Sequence, residues 1–302
     1  MKRKVNRVGA NTLTVSLPSK WAMKYGIKAG DEIEVNEEGK KLEIYTQKGI
    51  TKKQISIDVS GLLPRLVDRF MARSYQKGYD EIFVKFSSLE EIRAIEGKVQ
   101  ELLGFEIMDR KSNNCKIIMI ASKLDINFDI ALRKAFLIVL EMALGCIEGY
   151  NMNEKEVLNS LYQRDLEVNK YCYFCLREIN KQFTAGFGSY ILYYLVENLE
   201  DAGDELKALG INLTKIKSKQ RDISDILVEL HKMIQLAYDF FYKPNINVAN
   251  QSLLLFGRIN QKIENMQRKN EKLMSILMNI HRINNIMYHF PTMRLDTLKE
   301  LN

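Results

Sequence analysis

Two groups of residues in this chain have the types and spacing to do chemistry. The first is an acid stripe, Glu197, Glu200, Asp201, Asp204 and Glu205. Steps of three and four place these on neighbouring turns of one helix, where each like-charge pair costs about 0.2–0.5 kcal/mol. No lysine or arginine precedes them within a turn and only Lys207 follows, so little in the local sequence neutralises them. Clustered hard oxygens suit Mg²⁺, Ca²⁺, Mn²⁺ or iron. The same acids lie opposite the apolar stripe Leu192, Leu195, Leu199, Ala202 and Leu206, as the solvated face of an amphipathic helix would. Asp165 is placed differently, within the apolar stripe Leu158, Leu161, Val168, Cys172, Cys175 and Ile179 of its own helix. A carboxylate there must be paired, with an arginine such as Arg133, or bind a metal, because an isolated buried charge is very costly. On helical wheels Asp165 faces inward while Glu200 and Asp204 face outward.

The second group is basic. Residues 1–30 carry Lys2, Arg3, Lys4, Arg7, Lys20, Lys24 and Lys28 and no acid. Taking those seven from 45 Lys and Arg leaves 38 against 38 Asp and Glu, so the whole net charge of +7 sits at the N-terminal end. Such asymmetry suits contact with a polyanion, either nucleic acid or an anionic membrane surface. Lysine and arginine neutralise phosphates, and an asparagine such as Asn11 can reach base edges.

Other reactive types form no constellation. Cys172 and Cys175 make a C-x-x-C with no second pair, which reads as two small residues on a buried helix face. His231, His281 and His289 join no serine or cysteine motif and are assigned to helix surfaces. No glycine-rich loop offers a nucleotide cradle. The chain is read as having no enzymatic activity.

The elements that must position these groups are read from pattern. A length of 302 residues predicts two or three domains. The longest apolar run, residues 135–140, is too short to span a bilayer. The basic start leads into Val5, Asn6 and Arg7, unlike a secretory leader, and four unevenly spaced cysteines make no disulfide framework. A soluble cytoplasmic protein is expected.

Residues 1–49 read as strands 2–8 and 13–17, a short helix opened by Pro18 and ended by Gly26, and strands 32–35 and 41–45, with residues 37–40 breaking the last pair. So small a β segment leaves open edges and too little core, so it is expected to be an obligate dimer. Residues 50–125 alternate strand 54–59, helix 62–76, strand 81–86, helix 89–103 and a hairpin 105–110/115–120. That order predicts a small α/β layer with a split crossover. Residues 126–302 read as six helices near 128–148, 154–184, 187–209, 213–242, 246–269 and 271–289. Breaks are expected at 149–153, 186–188, Gly210, Pro244 and Asn270, with Pro291 ending the last helix. The similar lengths of the two triples suggest a duplicated three-helix unit. The fold class is therefore multi-domain α+β.

Two strings carry resemblances. Leu17-Pro18-x-x-Trp21 followed by Tyr25-Gly26-Ile27-Lys28-x-Gly30-Asp31-Glu32-Ile33-x-Val35 resembles the SpoVT-AbrB (MazE-like) swapped-hairpin DNA-binding domain. Arg164-Asp165-x-Glu167-Val168-Asn169-Lys170-x-x-x-Phe174 and Leu199-Glu200-x-x-Gly203-Asp204 resemble PhoU, the phosphate-uptake regulator built of two three-helix repeats. The order of hairpin, α/β spacer and helical repeats is similar to archaeal PhoU-like regulators. These resemblances imply a transcriptional regulator of phosphate uptake that dimerises and contacts duplex DNA through Lys2, Arg3, Lys4, Arg7, Asn11 and Lys20. They imply one Mg, Mn or Fe site in the first repeat, at Asp165, Glu200 and Asp204, with Glu197 and Asp201 beside it. Asn169 replaces one acid there, and Asn284 and Asn285 stand where the second repeat would need carboxylates. The helical module would contact a phosphate-transporter ATPase or a sensor kinase. The alternative is a signalling adaptor in which the hairpin only dimerises, since Ala22-Met23 stand in the short helix where DNA-binding relatives carry arginines.

Overall fold

The computed structural model describes residues 2–9, 11–38, 41–46, 52–120, 126–182, 187–269 and 273–297. The expected turn at Gly39-Lys40, the domain limits at 49 and 125, and the breaks at Gly186 and Asn270 lie outside the described residues. The chain forms two compact units, Met1–Lys53 and Gln54–Asn302.

In the first unit, β1 (Val5–Val8) pairs antiparallel with β2 (Thr12–Val15), Val5 opposite Val15 and Arg7 opposite Leu13. Lys2, Arg3 and Lys4 therefore precede β1 instead of lying on it. Beyond Val15 the chain leaves the ladder and reaches Pro18, whose fixed φ sets the entry to α1 (Ser19–Lys24). Gly26, at φ +62°, ends that helix as expected, in the left-handed region a glycine enters without strain. A second hairpin joins β3 (Glu34–Glu38) and β4 (Lys41–Tyr45), so Glu37 and Glu38 continue a strand that the sequence suggested they would break. Val5, Leu13 and Val15 share one face of the first hairpin, and Val35, Leu42 and Ile44 share one face of the second. No described side chain of this unit is buried.

The second unit starts with a four-stranded layer. Its elements are β5 (Gln54–Asp58), α2 (Pro64–Gln76), β6 (Glu81–Lys85), α3 (Leu89–Gln100), β7 (Phe105–Arg110) and β8 (Asn114–Met119). The strand order is β5-β6-β8-β7, with β5 parallel to β6 and β8 antiparallel to both its neighbours. β6 and β7 thus run the same way with β8 between them, which is the split crossover. Pro64 opens α2, and Ser88 caps α3 in a reciprocal box with Glu91. The Glu91 carboxylate also accepts from the amides of Gly61 (2.7 Å) and Ser87 (2.6 Å). Those bonds hold it below the usual carboxylate range despite its burial. Val67, Met71, Tyr75, Ile82, Ile92, Ile95 and Ile117 form the core of this layer.

Six helices complete the unit among the described residues: α4 (Phe128–Met152), α5 (Lys155–Gln182), α6 (Phe187–Leu213), α7 (Arg221–Tyr242), α8 (Ile246–Lys269) and α9 (Met274–Leu295). Within α4–α6 and within α7–α9 each helix packs on the other two, and the triples join through α4–α7 and α6–α9. Phe136 sits fully buried at that junction, its ring 5.5 Å from Phe241 and 5.1 Å from Phe290. The architecture is the hairpin unit, small α/β layer and helical bundle that the sequence implied.

Two expected breaks, at Gly210 and Pro291, lie inside helices, and the one expected at 149–153 falls at its far end. α4 runs through Gly149 to Met152 and ends on Asn153, which takes the left-handed cap conformation at φ +59°. α6 runs through Gly210 to Leu213. Both glycines serve helix contact: a Cβ on Gly149 would lie 2.8 Å from Leu158 Cγ, and one on Gly210 would lie 2.7 Å from Leu161 Cδ1 and 2.9 Å from the Leu158 carbonyl. α9 continues through Pro291 to Leu295. Pro291 is buried beside Phe290, and the packing of this face offsets the one helical hydrogen bond that proline removes.

α5 ties the helices to the α/β layer. Arg177, 2% exposed, donates to the carbonyls of Tyr75 (2.9 Å) and Tyr79 (2.6 Å) and to Asp80 Oδ1 (2.5 Å). Its guanidinium lies over the rings of Tyr75 and Phe105. Tyr173, one turn earlier, is buried in the α/β core.

Candidate functional site

The expected DNA-contact residues of the first unit are solvent-exposed: Lys2, Arg3 and Lys4 ahead of β1, Arg7 on it, Asn11 in the β1–β2 turn and Lys20 in α1. Arg7 shares its face of the hairpin with Val5, Leu13 and Val15, while Asn6, Val8, Thr12 and Thr14 project from the other. On α1 the rings of Trp21 and Tyr25 pack at 5.6 Å, with Lys24 Nζ 5.2 Å from the centre of the Tyr25 ring. A short aromatic core of that size orders the helix but buries nothing fully. Lone hairpins with one apolar face need a second surface to be stable in water. A second copy would supply that surface, and pairing two copies would double the positive charge facing an anion.

The acids of the second unit are organised by α5 and α6. Asp165 is 1% exposed, and its Oδ2 accepts from Lys207 Nζ at 2.5 Å. Lys207 also bonds Asp204, three residues before it on α6. Arg133, expected as a partner for Asp165, instead lies 4.3 Å over the Tyr242 ring, toward α7. One turn beyond Asp165, Asn169 is buried, and both Asp165 Oδ1 and Asn169 Oδ1 lack a hydrogen-bond partner. A further turn on, the Tyr173 hydroxyl donates to Glu200 Oε1 at 3.2 Å, and Lys98 Nζ lies 5.6 Å from the centre of the Tyr173 ring.

The stripe on α6 is thus not a uniformly solvated face. Arg73 of α2 grips Glu197 with two N–H donors, at 2.6 and 3.2 Å. Glu205 accepts from Arg282 (2.8 Å) and Asn279 (2.6 Å) of α9. Asp201 remains exposed. Burial pushes Glu200 up to about 7, aided by the charges of Asp204, Asp201 and Glu197 and opposed by the Tyr173 hydrogen bond. Burial likewise lifts Asp165 to about 6, outweighing the Lys207 ammonium that favours its charged form. Burial disfavours the Lys207 ammonium in turn, but its two carboxylate partners win and hold it above its ordinary value.

These residues do not fit a bound metal as they stand. Among the described residues no three carboxylate, imidazole or thiol groups converge on one point. The cation shared by Asp165 and Asp204 is an ammonium. In the second triple the corresponding interior is neutral: buried Asn284 donates to Asn260 Oδ1 (3.1 Å) and to the Phe256 carbonyl (3.2 Å). Exposed His281 joins that amide group through Asn260 and Asn285, while His231 and His289 are half-buried. Cys172 and Cys175 are fully buried, and burial raises both thiols well above their usual range. The side chains missed by sequence reasoning are the distant partners, Arg73, Tyr173 and Arg282. Only the unmatched charge of the stripe signals that such partners are needed.

A basic, strand-hairpin unit without a core of its own belongs to a recognisable class. Residues 7–52 match the family described as antidote-toxin recognition MazE, bacterial antitoxin. The N-terminal unit is accordingly similar to MazE/AbrB-type domains, which typically bind DNA and dimerise. The match ends before the α/β layer and the helical region. No curated protein matches the chain. No helix among the described residues is long and apolar enough to cross a membrane.

Proposed function

We propose that this chain is a cytoplasmic, DNA-binding transcriptional regulator. It dimerises and contacts duplex phosphates through Lys2, Arg3, Lys4, Arg7 and Lys20, with Asn11 at a base edge. Its helical unit acts as a PhoU-like sensor or partner module that couples transcription to phosphate uptake, through a transporter ATPase or a sensor kinase. No catalysed reaction is assigned. The observation that carries the DNA-binding part is that the acid-free basic stretch 1–30 lies in a unit whose residues 7–52 are MazE/AbrB-like and in which no described side chain is buried. The phosphate part is supported by the strings around Asp165 and Glu200 and by the two three-helix triples. The adaptor reading is favoured by one feature, the Ala22-Met23 pair on α1 where a DNA-reading helix would carry arginines.

Salt titration of duplex binding separates the two. If each basic side chain neutralises one phosphate, log affinity falls against log salt by about 0.9 per contact. Replacing Arg3 and Lys4 by glutamine removes four contacts from a dimer. That flattens the slope by about 3.6 and weakens binding by about three to four orders of magnitude at about 0.1 M salt. An unchanged slope in R3Q/K4Q, or a wild-type slope near zero, would establish the adaptor instead.

A further inference from the structure

We infer that Lys207 is the resident cation of the helical unit, holding the place between α5 and α6 that a divalent ion would otherwise take. The inference is independent of whether the hairpin unit binds DNA. Its Nζ bonds a carboxylate from each helix, Asp165 on α5 and Asp204 on α6. Its partners are two carboxylate oxygens, and one turn along α5 from Asp165 stands Asn169, whose side-chain carbonyl is a further hard donor on the same helix face. Asp165 Oδ1 and Asn169 Oδ1 are buried with no donor, so these residues have coordinating capacity that the ammonium leaves unused. Gly203 keeps the approach narrow, since a Cβ there would sit 3.4 Å from Asp165 Oδ1 and 3.2 Å from Val168 Cγ1.

An ammonium tethered to α6 reaches both acids with a smaller dehydration cost than a small divalent ion, which gives up its water reluctantly. Three rotatable donors on a flexible stem suit an irregular acid pair. Lys207 therefore supplies the opposite charge that a buried carboxylate on an apolar helix face requires. With its charge gone and the carboxylates kept, α5 and α6 would present a vacant hard-oxygen site.

The test uses the full-length chain at about pH 8, where carboxylates of ordinary and moderately raised pKa are ionised. Thermal midpoints are read in EDTA and in millimolar Mg²⁺ or Mn²⁺, and bound Mn²⁺ is counted from loss of the free-ion electron paramagnetic resonance signal. The wild-type midpoint and the Mn²⁺ signal should not respond. Lys207→Met should melt lower in EDTA, bind one Mn²⁺ per chain and regain at least about 2 °C with it, because a ligand of the native state raises stability by mass action. Lys207→Arg, which keeps the charge, should stay indifferent to metal. Asp165→Asn with Lys207→Met removes both partners and should fold without responding. If K207M is unfolded in EDTA, folding on addition of Mn²⁺ supports the inference, and failure to fold in either condition overturns it. Stoichiometric Mn²⁺ binding by the wild type, or a folded K207M that binds none, overturns it as well.

Discussion

Glu200 should make the helical unit less stable as pH rises, and Glu200→Gln should remove that loss. The carboxyl is partly buried between α5 and α6, with the Tyr173 hydroxyl as its donor. Burial first, then the charges of Asp204, Asp201 and Glu197, push it up to about 7 from an ordinary 4.5. Between those two values the folded chain keeps a proton that the unfolded chain releases. The stabilising contribution is therefore fully present below about 4.5 and is lost as pH rises through about 7. At ~1.4 kcal/mol per unit the loss amounts to about 3 kcal/mol, and screening of the more exposed acids reduces it to about 1–3 kcal/mol. A glutamine still accepts from Tyr173 and carries no charge. At about pH 8, E200Q should thus gain about 1–3 kcal/mol, or roughly 3–10 °C in the midpoint of helix melting, while at about pH 5 most of that gain should vanish. Asp165, lifted to about 6, adds a slope of the same sign in both proteins, so the difference between them isolates Glu200. Circular dichroism melts at the two pH values in low salt measure it. A variant less stable than wild type at high pH, or an offset equal at both values, would refute the reasoning.

Two further outcomes probe how the second unit is held together. Arg177→Met takes the guanidinium donor from the Tyr75 and Tyr79 carbonyls and leaves Asp80 with the Lys181 ammonium at 2.7 Å, so a loss of about 3–5 kcal/mol is expected in urea unfolding; a change under about 1 kcal/mol would mean the guanidinium is dispensable. Gly210→Ala should destabilise the bundle although alanine favours helix, because the new methyl would meet Leu161 Cδ1 and the Leu158 carbonyl; a raised melting midpoint would show that α5 and α6 can separate at no cost.

Much of the architecture is legible in the residues themselves. The strand patterns over 54–59 and 81–86, the helical patterns over 62–76 and 89–103, and the turn at Ser112-Asn113-Asn114 are local, and together they imply the split crossover that the sheet order shows. The string from Leu17 to Val35 is specific enough to mark the N-terminal unit, which residues 7–52 bear out by their family match. Asp165 can be placed inside because a helix wheel depends only on spacing along one chain segment, and its burial agrees.

The residues that stand opposite each face cannot be read that way. Lys207 reaches Asp165 across 42 residues, Arg282 reaches Glu205 across 77 and Arg73 reaches Glu197 across 124. A wheel assigns a direction to a side chain but not the element that arrives there. The acid stripe therefore looks unneutralised in the sequence, whereas α2 and α9 supply its cations in the fold. The same limit explains Gly149, Gly210 and Pro291. Local propensity counts a glycine or a proline as a helix end, whereas a close helix–helix approach rewards a missing side chain and a buried face outweighs one lost hydrogen bond. Local patterning thus determined which elements form and in what order. Tertiary packing alone decided which charges meet, because pairing energy depends on distance through space and not on separation along the chain.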